Sequence, residues 1–258
     1  MPTKPFDGAK LKIGRALKHA HDLKSEIDAY VSRDPAASFV QRDKHTGDYS
    51  VVLKLREGVP AQLPAIFGDT VHNLRTALDL LANDLVSLAG VTPKNVYFPF
   101  AESEIALEQA IKDRMKGAAD DVLDIIRALK PYRGGNAVLR GLHDLDIMDK
   151  HKAVMKIGAG QGISPPMRKT VLQEKPFKIL MEADWSALPT IPIDMTGFKV
   201  RPGVEIIGKV VGPQIGVFLA SGLPLGGQSI LAAVTKMGRL VQSIVQTFEA
   251  HCLGDPSP

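Results

Sequence analysis

Histidine, arginine and aspartate recur at helical spacing in two stretches of the sequence, GDTVHNLRTALDLLAND (residues 68–84) and NAVLRGLHDLDIMDKHKA (residues 136–153). Histidine can move a proton near neutral pH. Arginine grips phosphate oxygens through paired N–H groups. A carboxylate can orient either one. At roughly 3.6 residues per turn, His72, Arg75, Thr76, Asp79 and Asn83 share one face of the first stretch. Phe67, Leu74, Leu78, Leu81 and Leu85 share the opposite face. In the second stretch Asn136, Arg140 and Lys150 fall within about 60° of His143 on the same geometry, and Val138, Leu142 and Leu145 lie opposite.

Two neighbouring helices of this kind would bring His72, Arg75, Asp79, Arg140, His143 and Asp149 into one pocket. The chemistry would be proton transfer by His143 and His72. Phosphate would be held by Arg75, Arg140, Lys150 and Asn136, with Asp79, Asp149 and His151 as orienting groups. Asp149 projects onto the apolar side of its helix, where an unpaired carboxylate is rarely tolerated. Either the helix ends near Met148, or Asp149 has a cationic partner such as Arg75. The same stripes admit a second reading, a buried polar network that fixes the register of two helices. The protein would then be a non-catalytic structural or interaction protein, its sheet edge or bundle face binding a partner or a second copy. The residues leave both readings open.

The surrounding elements follow from periodicity. Apolar spacing predicts helices over 6–33, 64–88, 102–116, 118–129, 136–153 and 228–252. Asp7 is the expected N-cap of the first. Residues 38–57 read as a β-hairpin turning through Gly47. From Met155, Gly, Pro and β-branched residues dominate, and KTVLQE, FKILMEA, GVEIIGKVV and IGVFLASG read as strands, the last two joined as a hairpin at Gly212-Pro213. The expected fold class is α+β. It is a single domain, 1–258, with a helical bundle (6–153 plus 228–252), a β-rich insertion (155–222) and one small antiparallel sheet.

Composition narrows the function classes. A formal charge of +4 and a pI of about 9.1 permit a nucleic-acid partner without requiring one. The single cysteine, Cys252, rules out an intrachain disulfide or a cysteine-based zinc site. The first residues lack a signal-peptide core, and no apolar run reaches the roughly 18 residues of a membrane span. A cytoplasmic protein without membrane contact is expected. There is no phosphate-binding glycine loop that opens a helix and no G-x-S-x-G elbow. No helix carries two histidines at metal-ligand spacing, so neither metal nor cofactor is expected.

The motif GD-x-x-HNLR-x-ALD, followed by LH-x-L-x-x-x-DKH and a final VQSIVQTFE helix, resembles a family of uncharacterised bacterial and phage hypothetical proteins over most of the chain. That family implies no function. More distantly the chain resembles the HEPN superfamily, helical bundles that include metal-independent ribonucleases and nucleotide-binding proteins of defence and toxin–antitoxin systems. That resemblance implies an RNA or nucleotide partner, metal-independent RNA cleavage, and His143 as the acid/base. The superfamily's signature is an arginine, then four to six residues, then a histidine, on one helix. Here nine residues intervene between Arg133 and His143 and only two between Arg140 and His143, while Asn136 has six between. A homodimer is compatible with either reading.

Overall fold

The computed structural model describes residues 4–42, 49–151, 157–162, 170–174, 178–181, 199–200, 204–206 and 214–254. The protein is mostly helical. Six helices are described: α1 (Asp7–Ser32), α2 (Gln62–Leu88), α3 (Glu104–Arg114), α4 (Asp120–Leu129), α5 (Ala137–His151) and α6 (Ile230–Leu253). α2 lies at the centre of the bundle, packed on α1, α6 and α5. Its three- and four-residue apolar spacing explains that position. Leu63, Phe67, Leu74, Leu78, Leu81 and Leu85 are 0–2% exposed, and each such burial contributes about 1.5–3 kcal/mol. Val71, Ala77, Ala82 and Val86 are buried as well, so the apolar surface extends beyond one stripe and a second helix can dock. Ile13, Leu23, Ile27 and Tyr30 of α1 and Met237, Val241, Ile244 and Phe248 of α6 complete the same core.

Local chemistry sets several boundaries. Ser103 caps α3, its Oγ accepting from the Ala106 N–H at 3.3 Å. α4 ends on Lys130 in the left-handed region (φ 51°). Gly135 follows, where a Cβ would lie 2.5 Å from the Lys130 carbonyl oxygen, so only glycine fits this turn. α1 begins differently from the expectation. Phe6 holds the N-cap position with φ 68°, and its N–H donates to Asp84 Oδ2 at 2.8 Å, while Asp7 is the first helical residue. A carboxylate from α2 therefore anchors the start of the chain.

The described strands pair in three separate antiparallel sets, where the sequence reading has one sheet. β1 (Ala36–Arg42) pairs with β2 (Tyr49–Leu55), which continues to β6 (Lys199–Val200). β4 (Thr170–Glu174) lies between β5 (Lys178–Met181) and β7 (Val204–Ile206). β3 (Ile157–Gly162) pairs with β8 (Gln214–Leu219). Among the described residues the last two strands pair elsewhere, β7 with β4 and β8 with β3. The expected turn residues Gly47 and Gly212-Pro213 lie outside the described residues. β8 reaches the helical core through Val217 and Leu219, both buried.

Candidate functional site

The two polar stripes meet. α2 and α5 run antiparallel, and their contacts descend α5 as they ascend α2. The Asp149 carboxylate lies over Gly68, where a Cβ would sit 2.7 Å from both of its oxygens. One turn along, His72 Nδ1 lies 2.9 Å from Asp146 Oδ1. Arg75 Nε then donates to His143 Nδ1 at 3.3 Å. From Gly68 to Arg75 the polar face of α2 lies against α5 in one seam, with the His72 ring left half-exposed.

His143 is held by Phe100 and Arg75. Its ring stacks on Phe100 with centroids 4.2 Å apart and planes 6° from parallel. The Arg75 guanidinium lies 4.7 Å from the centroid of the same Phe100 ring. Arg75 can only donate, so His143 Nδ1 must be unprotonated and the neutral ring carries its proton on Nε2. Burial first, and then the Arg75 and Arg140 cations, push the His143 pKa down to about 4. At neutral pH His143 is an uncharged acceptor.

Arg75 is 7% exposed. Its Nη1 forms an ion pair with Asp79 Oδ1 at 2.5 Å, without hydrogen-bond alignment. Asp79 Oδ1 also accepts from the Phe98 N–H at 3.0 Å, and Asn83 Nδ2 donates to the Val96 carbonyl at 3.2 Å. The polar stripe of α2 thereby pins the 96–100 segment and sets Phe100 against His143. Arg140, equally buried, donates to the Ala101 carbonyl at 2.5 Å, to Glu102 Oε1 at 2.6 Å and to Asp144 Oδ1 at 2.9 Å. Arg133 adds a bond to Glu102 and an ion pair with Asp144. Arg140, and after it Arg133, hold Glu102 below the ordinary carboxylate range.

Charges in this seam are balanced: Arg75, Arg140 and Arg133 each already face a carboxylate. His72 differs. Its side chain is 46% exposed, whereas that of Asp146 is 6% exposed. An ionised Asp146 only accepts, so it takes the Nδ1–H and leaves Nε2 with its lone pair. Thr76 Oγ1 lies 3.5 Å from Nε2, but its hydroxyl donates to the His72 carbonyl at 2.8 Å. A buried carboxylate orienting an accessible imidazole is the arrangement that general acid–base chemistry uses.

The expected site residues fall into groups. His72, Arg75, Asp79, His143 and Asp149 do line one seam. Arg140 lies at its far end, joined to the segment after Phe100. Asn136 is the N-cap of α5, its Oδ1 accepting from the Leu139 N–H at 3.0 Å. The pairing of Arg75 with Asp149 is corrected, because Arg75 joins Asp79. α5 continues past Met148 to His151. The side chains of Lys150 and His151 lie outside the described residues. Sequence reasoning missed Asp146, Asp144, Glu102 and Phe100. Two of these carried a signal: Asp146 stands three residues after His143, and Asp144 four after Arg140, both neighbouring positions on a helix surface. Glu102 and Phe100 come from a loop and carried none.

Among the described residues, no three His, Cys, Asp or Glu side chains are placed to hold a metal ion, and no helix is long and apolar enough to cross a membrane. The chain matches no protein-family model, no curated protein and no solved structure.

Proposed function

We propose that the protein is a HEPN-like helical bundle that binds RNA or a nucleotide and cleaves RNA without a metal, as enzymes of defence or toxin–antitoxin systems do. In this reading the proton-transfer group is His72, oriented by Asp146. His143, Arg75, Asp79 and Arg140 hold α2, α5 and the 96–102 segment in register around it. The observation that carries the reading is the 2.9 Å contact from the accessible His72 ring to the buried Asp146 carboxylate. His72 Nε2 would take the proton of an attacking hydroxyl, such as a ribose 2′-OH, and return a proton to the leaving oxygen. The test is RNA cleavage by purified protein in EDTA, beside His72→Ala and Asp146→Asn variants whose folding is checked by circular dichroism. Loss of cleavage in both folded variants supports the reading, and full activity in either overturns it.

A second reading has its own observation. Arg75 and Arg140 are buried and neutralised by carboxylates, which suits a register-fixing network in a non-catalytic interaction protein. Absence of cleavage by the wild type, together with early melting of Arg140 and Arg75 variants, would favour it.

A further inference from the structure

The balanced seam raises the question of what would hold the phosphates of an RNA strand. Cations without carboxylate partners lie elsewhere, where the 91–97 loop meets the end of α3. The Tyr97 N–H bonds the Arg114 carbonyl at 3.4 Å, and the Val91 side chain sits over Gly117, where a Cβ would lie 2.8 Å from Val91 Cγ2. These contacts fix the loop against the α3–α4 turn. Side chains of the extended 96–98 segment alternate: Val96 and Phe98 are buried, and Tyr97 points outward with 45% of its surface exposed. The Arg114 guanidinium lies 5.5 Å from the Tyr97 ring centroid. Lys94, three residues before Tyr97, and Lys116, two residues after Arg114, are exposed. Neither these lysines nor Arg114 makes an ion pair among the described residues. Lys112 also lies nearby but shares the field of Glu108.

We infer that Tyr97, with Arg114, Lys94 and Lys116, forms a docking surface for single-stranded RNA. An exposed aromatic ring presents a face on which any base can stack, and the surrounding cations track the phosphate backbone. A cleft of about 600 Å³ adjoins Lys116, with Met115 and Leu123 in its wall beside Lys112 and the carboxylates Glu108 and Asp113. The inference rests on the RNA reading above for its choice of strand. It supplies the phosphate contacts that Arg75 and Arg140 do not.

The experiment is fluorescence anisotropy with a 5′-labelled oligouridine RNA of about 12 nucleotides, within the usual site size of such surfaces, run over a salt series. Tyr97→Ala should weaken binding roughly 5- to 150-fold, the range for losing one stacked base. Tyr97→Phe, which keeps the ring, should bind as the wild type does. With three phosphate contacts the log–log salt slope is about −2, and the Arg114→Gln/Lys116→Gln double variant should flatten it to about −0.7. Unchanged binding by Tyr97→Ala, or no binding by the wild type, overturns the inference. The two ideas fail separately. Patch-dependent binding without His72-dependent cleavage removes the catalytic reading and keeps the surface. His72-dependent cleavage with patch-independent binding removes the surface and keeps the catalytic reading.

Discussion

Gly68 inside α2 faces the Asp149 carboxylate so closely that a Cβ would meet both oxygens at 2.7 Å and the carboxyl carbon at 2.9 Å. Two opposing effects follow for Gly68→Ala. In a helix interior, alanine is favoured over glycine by about 1 kcal/mol. Overpacking a close contact costs about 1–3 kcal/mol. The Asp149 side chain is short and its carboxyl carbon lies within the clash as well as its oxygens, so the clash should win, leaving the variant up to about 2 kcal/mol less stable. In an Asp149→Ala background the obstructing carboxylate is gone and only the propensity gain remains. There the same substitution should stabilise by about 1 kcal/mol. The coupling energy of the cycle is therefore about 1–3 kcal/mol, whatever Asp149→Ala itself costs. Urea unfolding of the four proteins measures it, and thermal melts should follow at about 2–4 °C per kcal/mol. A Gly68→Ala effect of the same sign and size in both backgrounds would refute the close approach of α2 and α5 at this end of the seam.

Arg140→Met should cost about 3–5 kcal/mol, because the mostly buried Asp144 loses its main cation. Arg133→Met, at a 60% exposed side chain, should cost less than about 1 kcal/mol; urea unfolding that ranks the two equally would contradict the burial difference. His143 has a folded pKa of about 4 against an ordinary 6.5, so between these pH values the unfolded chain binds a proton that the folded chain does not. Stability should fall by on the order of 1–3 kcal/mol as pH drops from about 6.5 to about 4, and His143→Gln should lack that part of the slope in pH-dependent melts. Burial raises the Asp84 pKa while its carboxylate accepts the Phe6 N–H, so the charged form is the disfavoured one in the fold. Asp84→Asn keeps an acceptor without the charge and should gain up to about 1 kcal/mol at pH 7, a gain that fades as pH falls and the wild-type carboxyl takes up its proton.

The helices were legible because their signal is local. The apolar spacing of Leu74, Leu78, Leu81 and Leu85 marks α2, and Ser103 and the Lys130–Gly135 break mark the ends of α3 and α4. The strand pairing was not legible, because β3 and β8 are more than fifty residues apart in sequence, and neither sequence names the other. The same distinction holds within the site. His72, Arg75 and His143 stood out by type and spacing, and they do share a seam. Which of them remains accessible depends on tertiary register, which placed Phe100 over His143 and left His72 half-exposed. The partner of Arg75 was misassigned for a related reason. Asp79, one turn away on the same helix, competes locally with any carboxylate from α5.

The most direct measurement is single-turnover RNA cleavage in EDTA by the wild type, His72→Ala, Asp146→Asn and His143→Gln. Cleavage that persists in EDTA, is lost in the folded His72→Ala and Asp146→Asn proteins, and survives in His143→Gln is the predicted result. No cleavage by the wild type, or undiminished cleavage by His72→Ala, would contradict the assignment of His72 and Asp146 as the proton-transfer pair.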